Sequence, residues 1–398
     1  MRLRTRWASV ALLLLVPLIS SAYAAAADPG DGGVVVERSA RAVPGQYIVT
    51  LRPEYSATSA VEQLGVKPLF TYNSVLRGFA AVLSPAQLAT VRSSPDVAAV
   101  EENSVVTVSE PPAASAAMPS RSAVTAASWG LDRIDQRRLP LDHEYNVTGT
   151  GSGVTAYVVD TGIETRNSEF GGRAVVGFDA VGDGRAGQDC HGHGTHVAGT
   201  IGGATYGVAR SVSLVAVRVL NCTGSGTAAG LLAGFDWVAG HAKQPAVLNA
   251  SLGGPGSAAV DDAVNAIAAR GTVPVVAAGN SSVDACTVSP ARAAQVVTVA
   301  ASDGQDRQTG FSNYGRCVEM YAPGSAIVSA KLGGGSVAMS GTSMASPHVA
   351  GVAALYKQSR PTATPNDLTG WLVDQSTKNV LSSLGAGSPN RLLYTAGL

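Results

Sequence analysis

The chain has 398 residues, with 28 basic and 28 acidic side chains and no formal net charge. That length can bury a large core, enough for one big domain and a smaller one. The neutral balance offers no basic face to nucleic acid, and sparse charge (14%) in a Gly-, Ala-, Ser- and Val-rich chain argues against disorder.

Residues 1–27 read as a secretory signal. Arg2, Arg4 and Arg6 precede an apolar run from Val10 to Ile19, and small residues follow through Ala27. The run is too short for a comfortable membrane span, and no later stretch is long enough. A secreted, extracellular protein with no membrane partner is expected. Export permits disulfides. The four cysteines, Cys190, Cys222, Cys286 and Cys317, allow three pairings. None has the CxxC spacing of a metal knuckle.

Residues 43–108 read as a small α+β domain. Strands are expected at Gln46–Leu51 and Gly78–Leu83, and a helix from Ser56 to Leu64. Ser84-Pro85 opens a second helix through Val91. A last strand, Val97–Val100, stops before Glu101-Glu102. The order is ferredoxin-like. Residues 109–128, rich in Pro, Ala and Ser, read as a linker and processing region, with Arg121 as a candidate cut.

From Trp129 onward, 129–398, the texture is that of a second domain. Apolar runs at Val154–Val159, Leu214–Leu220, Ala246–Leu252, Val273–Ala278 and Val296–Ala301 alternate with helical patterns at Thr227–Ala239, Ala258–Ala269 and Thr342–Gln358. Strands apolar on both faces predict an α/β, doubly wound, mostly parallel sheet. Function in such sheets collects at the carboxyl ends of strands, where Asp160, Ser251 and Asn280 fall.

Four polar residues stand out. Ser343, in Gly341-Thr342-Ser343-Met344-Ala345-Ser346-Pro347-His348, is predicted at a helix N-terminus, with Pro347 in the first turn. Free N–H groups there favour developing negative charge, which suits an acyl-transfer nucleophile; a plain N-cap serine is the alternative. Asp160, before Thr161-Gly162, is a strand-end carboxylate or a turn residue. His193 lies between glycines in Cys190-His191-Gly192-His193-Gly194-Thr195-His196, as a general base would, although His-x-His-x-x-His also admits a metal reading. Asn280 is an amide for an oxyanion or a turn asparagine.

The order Asp160, His193, Ser343 is that of subtilisin, not of chymotrypsin or the α/β-hydrolases. With Val159-Asp160-Thr161-Gly162, Gly192-His193-Gly194-Thr195-His196-Val197-Ala198-Gly199-Thr200, Asn249-Ala250-Ser251-Leu252-Gly253-Gly254, Ala277-Ala278-Gly279-Asn280, Phe311-Ser312-Asn313-Tyr314-Gly315 and Gly341-Thr342-Ser343-Met344-Ala345, residues 129–398 resemble the subtilisin-like serine peptidases, in the proteinase K branch and nearest aqualysin-type enzymes. Residues 43–108 resemble that family's inhibitor-like propeptide.

The resemblance implies a secreted serine endopeptidase, made as an autoprocessed precursor. Its triad would be Asp160, His193 and Ser343, with Asn280 in the oxyanion hole. Gly224, Ser225 and Gly226, facing Ser251, Leu252 and Gly253, would pair with an extended peptide. Ala277, Ala278 and Gly279 would line an open apolar pocket, favouring apolar or aromatic side chains before the cut. Partners would be protein or peptide substrates and the chain's own propeptide as inhibitor, on a monomer. Catalysis would need no cofactor. Structural calcium is implied, on the carbonyls of Ala294 and Val296 and the side chain of Glu319, where the family usually has aspartate. The cysteines would pair as Cys190–Cys222 and Cys286–Cys317. His191 stands where asparagine is usual and Ser346 where threonine is common. An esterase with the same triad, or a non-catalytic binder on the same fold, would be the rival readings.

Overall fold

A computed structural model describes residues 33–108 and 126–398; the expected signal segment, and positions 109–125 of the expected linker with Arg121, lie outside the described residues. Its larger sheet has nine strands in the order Thr377–Lys378, Arg391–Leu392, Met320–Pro323, Val297–Ser302, Val273–Ala277, Ala246–Ala250, Thr155–Asp160, Ser213–Arg218, Ala174–Asp179. All neighbours are parallel except the first pair.

The apolar runs are buried on both faces because successive side chains serve opposite cores. Ala156 and Val158 of the Thr155–Asp160 strand join the core that holds Val197 and Ile201 of the helix His193–Gly202 and Val349 and Val352 of the helix Thr342–Ser359. Tyr157 and Val159 join the core built with Leu231 and Phe235 of the helix Ala228–His241 and Val264 and Ile267 of the helix Ala258–Ala269. In chain order the helices are α1 (Ala57–Gln63), α2 (Pro85–Ser93), α3 (Trp129–Ile134), α4 (His193–Gly202), α5 (Ala228–His241), α6 (Ala258–Ala269), α7 (Thr342–Ser359) and α8 (Pro365–Gln375).

The small domain has strands Ala42–Leu51, Pro68–Tyr72, Gly78–Val82 and Val97–Val108, with α1 and α2 interleaved. Ser84 and Gln87 cap α2 reciprocally with Pro85 in the first turn. Two expectations need correcting. The last strand does not stop at Val100: it continues through Glu101-Glu102 to Val108. Of the polar pair that suggests a stop, Glu102 holds Arg38 and the Ser39 N–H, and Glu101 is taken up by a helix end of the large domain. Glu101 accepts from the Ala259 N–H at 2.8 Å and the Ser257 hydroxyl at 2.6 Å, at the start of α6. Asn103 Oδ1 accepts from the Ala229 N–H at 2.9 Å, at the start of α5. Helix N-termini have orphan donors, and these side chains satisfy them.

The second correction is Pro347. Helix α7 begins at Thr342, which places Pro347 inside the helix instead of in its first turn. The proline cannot donate to the Ser343 carbonyl, four residues back. The Ser251 hydroxyl donates to that carbonyl instead, at 2.9 Å.

Candidate active site

Asp160 is the last residue of its strand and fully buried. Its Oδ1 lies 2.8 Å from Nδ1 of His193 and accepts the Thr161 N–H at 2.7 Å. His193 is the first residue of α4, after Gly192 at φ 102°. The following turn passes so close to the Asp160 loop that a Cβ on Gly194 would lie 2.1 Å from the Gly162 carbonyl. Glycine there lets the imidazole reach the carboxylate.

The loop carrying His193 is organised by Asp189, which the sequence reading did not single out. One carboxylate oxygen accepts from the N–H groups of His191 and Gly192 and from the Thr161 hydroxyl; the other accepts from the Thr195 N–H and hydroxyl. An aspartate just before a glycine-rich helix start was the available signal. Buried Arg218 was also missed. It donates to the Thr161 carbonyl at 3.2 Å and to Asp179 and Asp183, and it draws the Asp183 carboxyl down to about 2.

Ser343 is the second residue of α7 and buried. Its hydroxyl donates to the Ser251 carbonyl at 3.1 Å. Asn249 Nδ2 donates to the Ser251 hydroxyl at 2.9 Å and Asn249 Oδ1 accepts from Ser346 at 2.7 Å, so the strand end and α7 share one buried polar network. Asn280 Oδ1 accepts from both the N–H and the hydroxyl of Thr342 at 2.9 Å. With both bonds on the oxygen, the NH₂ is the amide's donor end. Thr342, also unremarked in the sequence, accepts from the Gly279 N–H at 3.0 Å.

The two expected peptide edges flank one strand of the small domain. Val105, Val106 and Thr107 pair antiparallel with Thr227, Gly226 and Ser225, and Thr107 and Val108 with Gly253 and Leu252. The Val108 N–H donates to the Gly224 carbonyl at 2.9 Å. A cavity of about 300 Å³ adjoins this strand and is lined by Thr107, Val108, Gly253, Gly279, Asn280 and Asn313, among others. Ala277 and Ala278, expected in the pocket wall, are buried in and beside the strand and do not line this cavity.

The histidines do not gather on a metal. Among the described residues the only grouping close enough is Asp183 with Cys190 and Cys222, and those sulfurs are joined to each other. Cys286 is joined to Cys317. His196 Nε2 lies 3.0 Å from the Ile327 carbonyl, and burial lowers its pKa to about 3. Of the calcium set expected at Ala294, Val296 and Glu319, the partly exposed Glu319 carboxylate is paired with Arg391 at 3.2 Å, and that guanidinium would have to swing aside for an ion to share the carboxylate.

The family model described as Subtilase family matches residues 151–390. The chain belongs to the subtilase family. A second model, Peptidase inhibitor I9, matches residues 46–109, so this subtilase carries an inhibitor propeptide. It is 44% identical to the extracellular serine proteinase of Thermus sp. (strain Rt41A), with 98% of each chain covered. It is 48% identical to alkaline serine exoprotease A of Vibrio alginolyticus over 85% of this chain; that match spans 61% of the relative's length. A crystal structure of a cold adapted subtilisin-like serine proteinase superposes with a TM-score of 0.67 at 54% identity, covering 68% of this chain and 99% of that one. The protein is a subtilisin-family serine protease.

Proposed function

We propose that Asp160, His193 and Ser343 are the catalytic triad of a secreted, broadly specific endopeptidase that cuts its own precursor. The observation that carries this reading is the strand Val105–Val108, held between Ser225–Thr227 and Leu252–Gly253 as a substrate would be. Leu252 is registered against Val108, and its neighbour Ser251 holds the Ser343 hydroxyl. A peptide in this groove therefore runs toward the nucleophile.

In the proposed reaction the Ser343 hydroxyl leaves the Ser251 carbonyl, turns to the His193 ring and attacks the peptide carbonyl carbon. His193 takes the proton while Asp160 holds the other ring nitrogen. The oxyanion is met by the Asn280 NH₂ and by backbone N–H at the start of α7. Collapse expels the amine with the proton from His193, and water, deprotonated by the same ring, releases the acyl group. No metal enters any step.

The processing cut is proposed to fall within 109–128. The register supports a bond close behind Val108 over one at Arg121, because the bond that reacts must lie beside Ser343. Glycines along both edges let any peptide backbone approach closely and support broad specificity, with a preference for apolar or aromatic side chains before the cut. The deciding experiment is Ser343→Ala expressed in a protease-free host. A full-length, inactive precursor is expected; mature protein from that variant would overturn self-processing. Marked preference for Arg or Lys before the cut would overturn the pocket assignment.

A further inference from the structure

We propose that Asn313 is a positioning residue for the reaction: its side chain sets the aim of the Asn280 amide by tying down the chain on both sides of it. The proposal rests on the oxyanion role given to Asn280 above and names what holds that amide in place.

The strand Val273–Ala277 ends three residues before Asn280. Gly279, between them, has φ 101°, a conformation that glycine adopts freely and does not hold by itself. The motif Phe311-Ser312-Asn313-Tyr314-Gly315 lies alongside this loop. Asn313 is buried, and its amide makes three bonds to the loop. Nδ2 donates to the Ala278 carbonyl at 2.8 Å, and Oδ1 accepts from the N–H groups of Ser281 at 3.0 Å and Val283 at 3.1 Å. The Ala278 carbonyl belongs to the peptide group that enters Gly279; the Ser281 N–H belongs to the one that leaves Asn280. The Asn313 N–H adds a bond to the Gly279 carbonyl at 2.8 Å. The approach is so close that a Cβ on Gly279 would strike Nδ2 of Asn313.

Asn313 is itself anchored. The Ser312 hydroxyl accepts from the Ala301 N–H at 3.1 Å and donates to the Asn313 carbonyl at 2.9 Å, which ties the motif to the strand Val297–Ser302. Farther along, the Tyr314 N–H donates to the Val283 carbonyl and the Ala285 N–H to the Tyr314 carbonyl, and the Cys286–Cys317 disulfide closes the pair of segments.

An amide suits this place because one side chain both accepts twice and donates; a carboxylate lacks the donor. Thr342 holds the Asn280 side chain at its oxygen, and Asn313 holds its backbone. An oxyanion donor works only at hydrogen-bond distance from the developing charge, and a displacement of about 1 Å costs about 10²-fold in rate.

The test is a double-mutant cycle on the mature enzyme with one peptide anilide: natural, Asn280→Ala, Asn313→Ala and both together. Variants that do not process themselves are matured with a trace of tagged natural enzyme, which is then removed. Asn313→Ala is expected to lower kcat about 10²-fold with KM within about threefold, and to cost no more than about threefold further once Asn280 is alanine. Equal losses in the two backgrounds, or no loss from Asn313→Ala in the natural one, overturn the proposal. Should Asn313→Ala fail to fold, Asn313→Asp, which keeps both acceptor bonds and removes the donor, is judged by the same two ratios. An unchanged kcat in Asn280→Ala would instead count against the oxyanion reading itself.

Discussion

Ser251 and Ser343 exchange two hydrogen bonds: the Ser251 hydroxyl donates to the Ser343 carbonyl at 2.9 Å, and the Ser343 hydroxyl to the Ser251 carbonyl at 3.1 Å. The first replaces the helix bond that Pro347 cannot make. Ser251→Ala should leave the Ser343 carbonyl buried and short of its donor. The expected loss is about 1–3 kcal/mol of stability, read as a lower denaturation midpoint in an inactive Ser343→Ala background. Ser251→Thr, which keeps the hydroxyl, should recover part of it.

Asn280→Ala should lower the turnover number by roughly 10²–10³ with a smaller change in KM, the loss seen when subtilisin loses its oxyanion-hole amide. Asn280 also holds the first residue of α7 through Thr342. Thr342→Val keeps the amide and removes one anchor, and should cost about tenfold or less. Equal losses in the two variants would assign Asn280 a positioning role only.

Acid stability should depend on His348. It is buried, its Nδ1 lies 2.8 Å from the Met344 carbonyl, and a Cβ on Gly130 would approach its Nε2 to 2.5 Å, so there is no room for a second partner. Burial lowers its pKa to about 4 and that of His196 to about 3. Both are weaker bases folded than unfolded. The unfolded chain therefore takes up the extra protons, and stability complete above about pH 6.5 is lost as pH falls toward the folded values. Each histidine costs about 2 kcal/mol at pH 5 by this linkage. Asp135, raised to about 6 by burial, works the other way and gains stability as pH falls. The difference between the natural protein and His348→Gln isolates the histidine: the variant's stability should fall less between pH 7 and pH 5, by about that amount, in urea titrations of inactive protein.

Glu101 and Asn103 should matter for making the enzyme more than for running it. Glu101→Ala and Asn103→Ala remove acceptors at the starts of α6 and α5, each at a cost of about 1 kcal/mol. Slower appearance of mature protein is expected, with unchanged kcat/KM once matured. Intact-mass analysis of the same samples reads the mature N-terminus. A start within a few residues after Val108 fits the register; a start at Ser122 would return the cut to Arg121.

The sequence by itself determined the alternation of apolar runs and helices, because side chains buried on both faces of a strand leave no polar period to read. It also singled out Asp160, His193, Ser343 and Asn280 as candidates, because each sits in a short motif at a strand or helix end. Only tertiary structure decided what those residues touch. The length of the Val97–Val108 strand could not be read, since Glu101-Glu102 looks like a strand end until the helix N-terminus at residues 257–259 supplies the Glu101 donors. Pro347 misled for the same reason: its missing bond is made good by Ser251, 92 residues from Ser343 in the chain. Asp189, Arg218 and Thr342 were silent because an ordinary polar residue becomes an organiser only when folding surrounds it with unpaired backbone groups. Local pattern records what a segment buries; it does not record which distant segment satisfies the polar groups that burial strands.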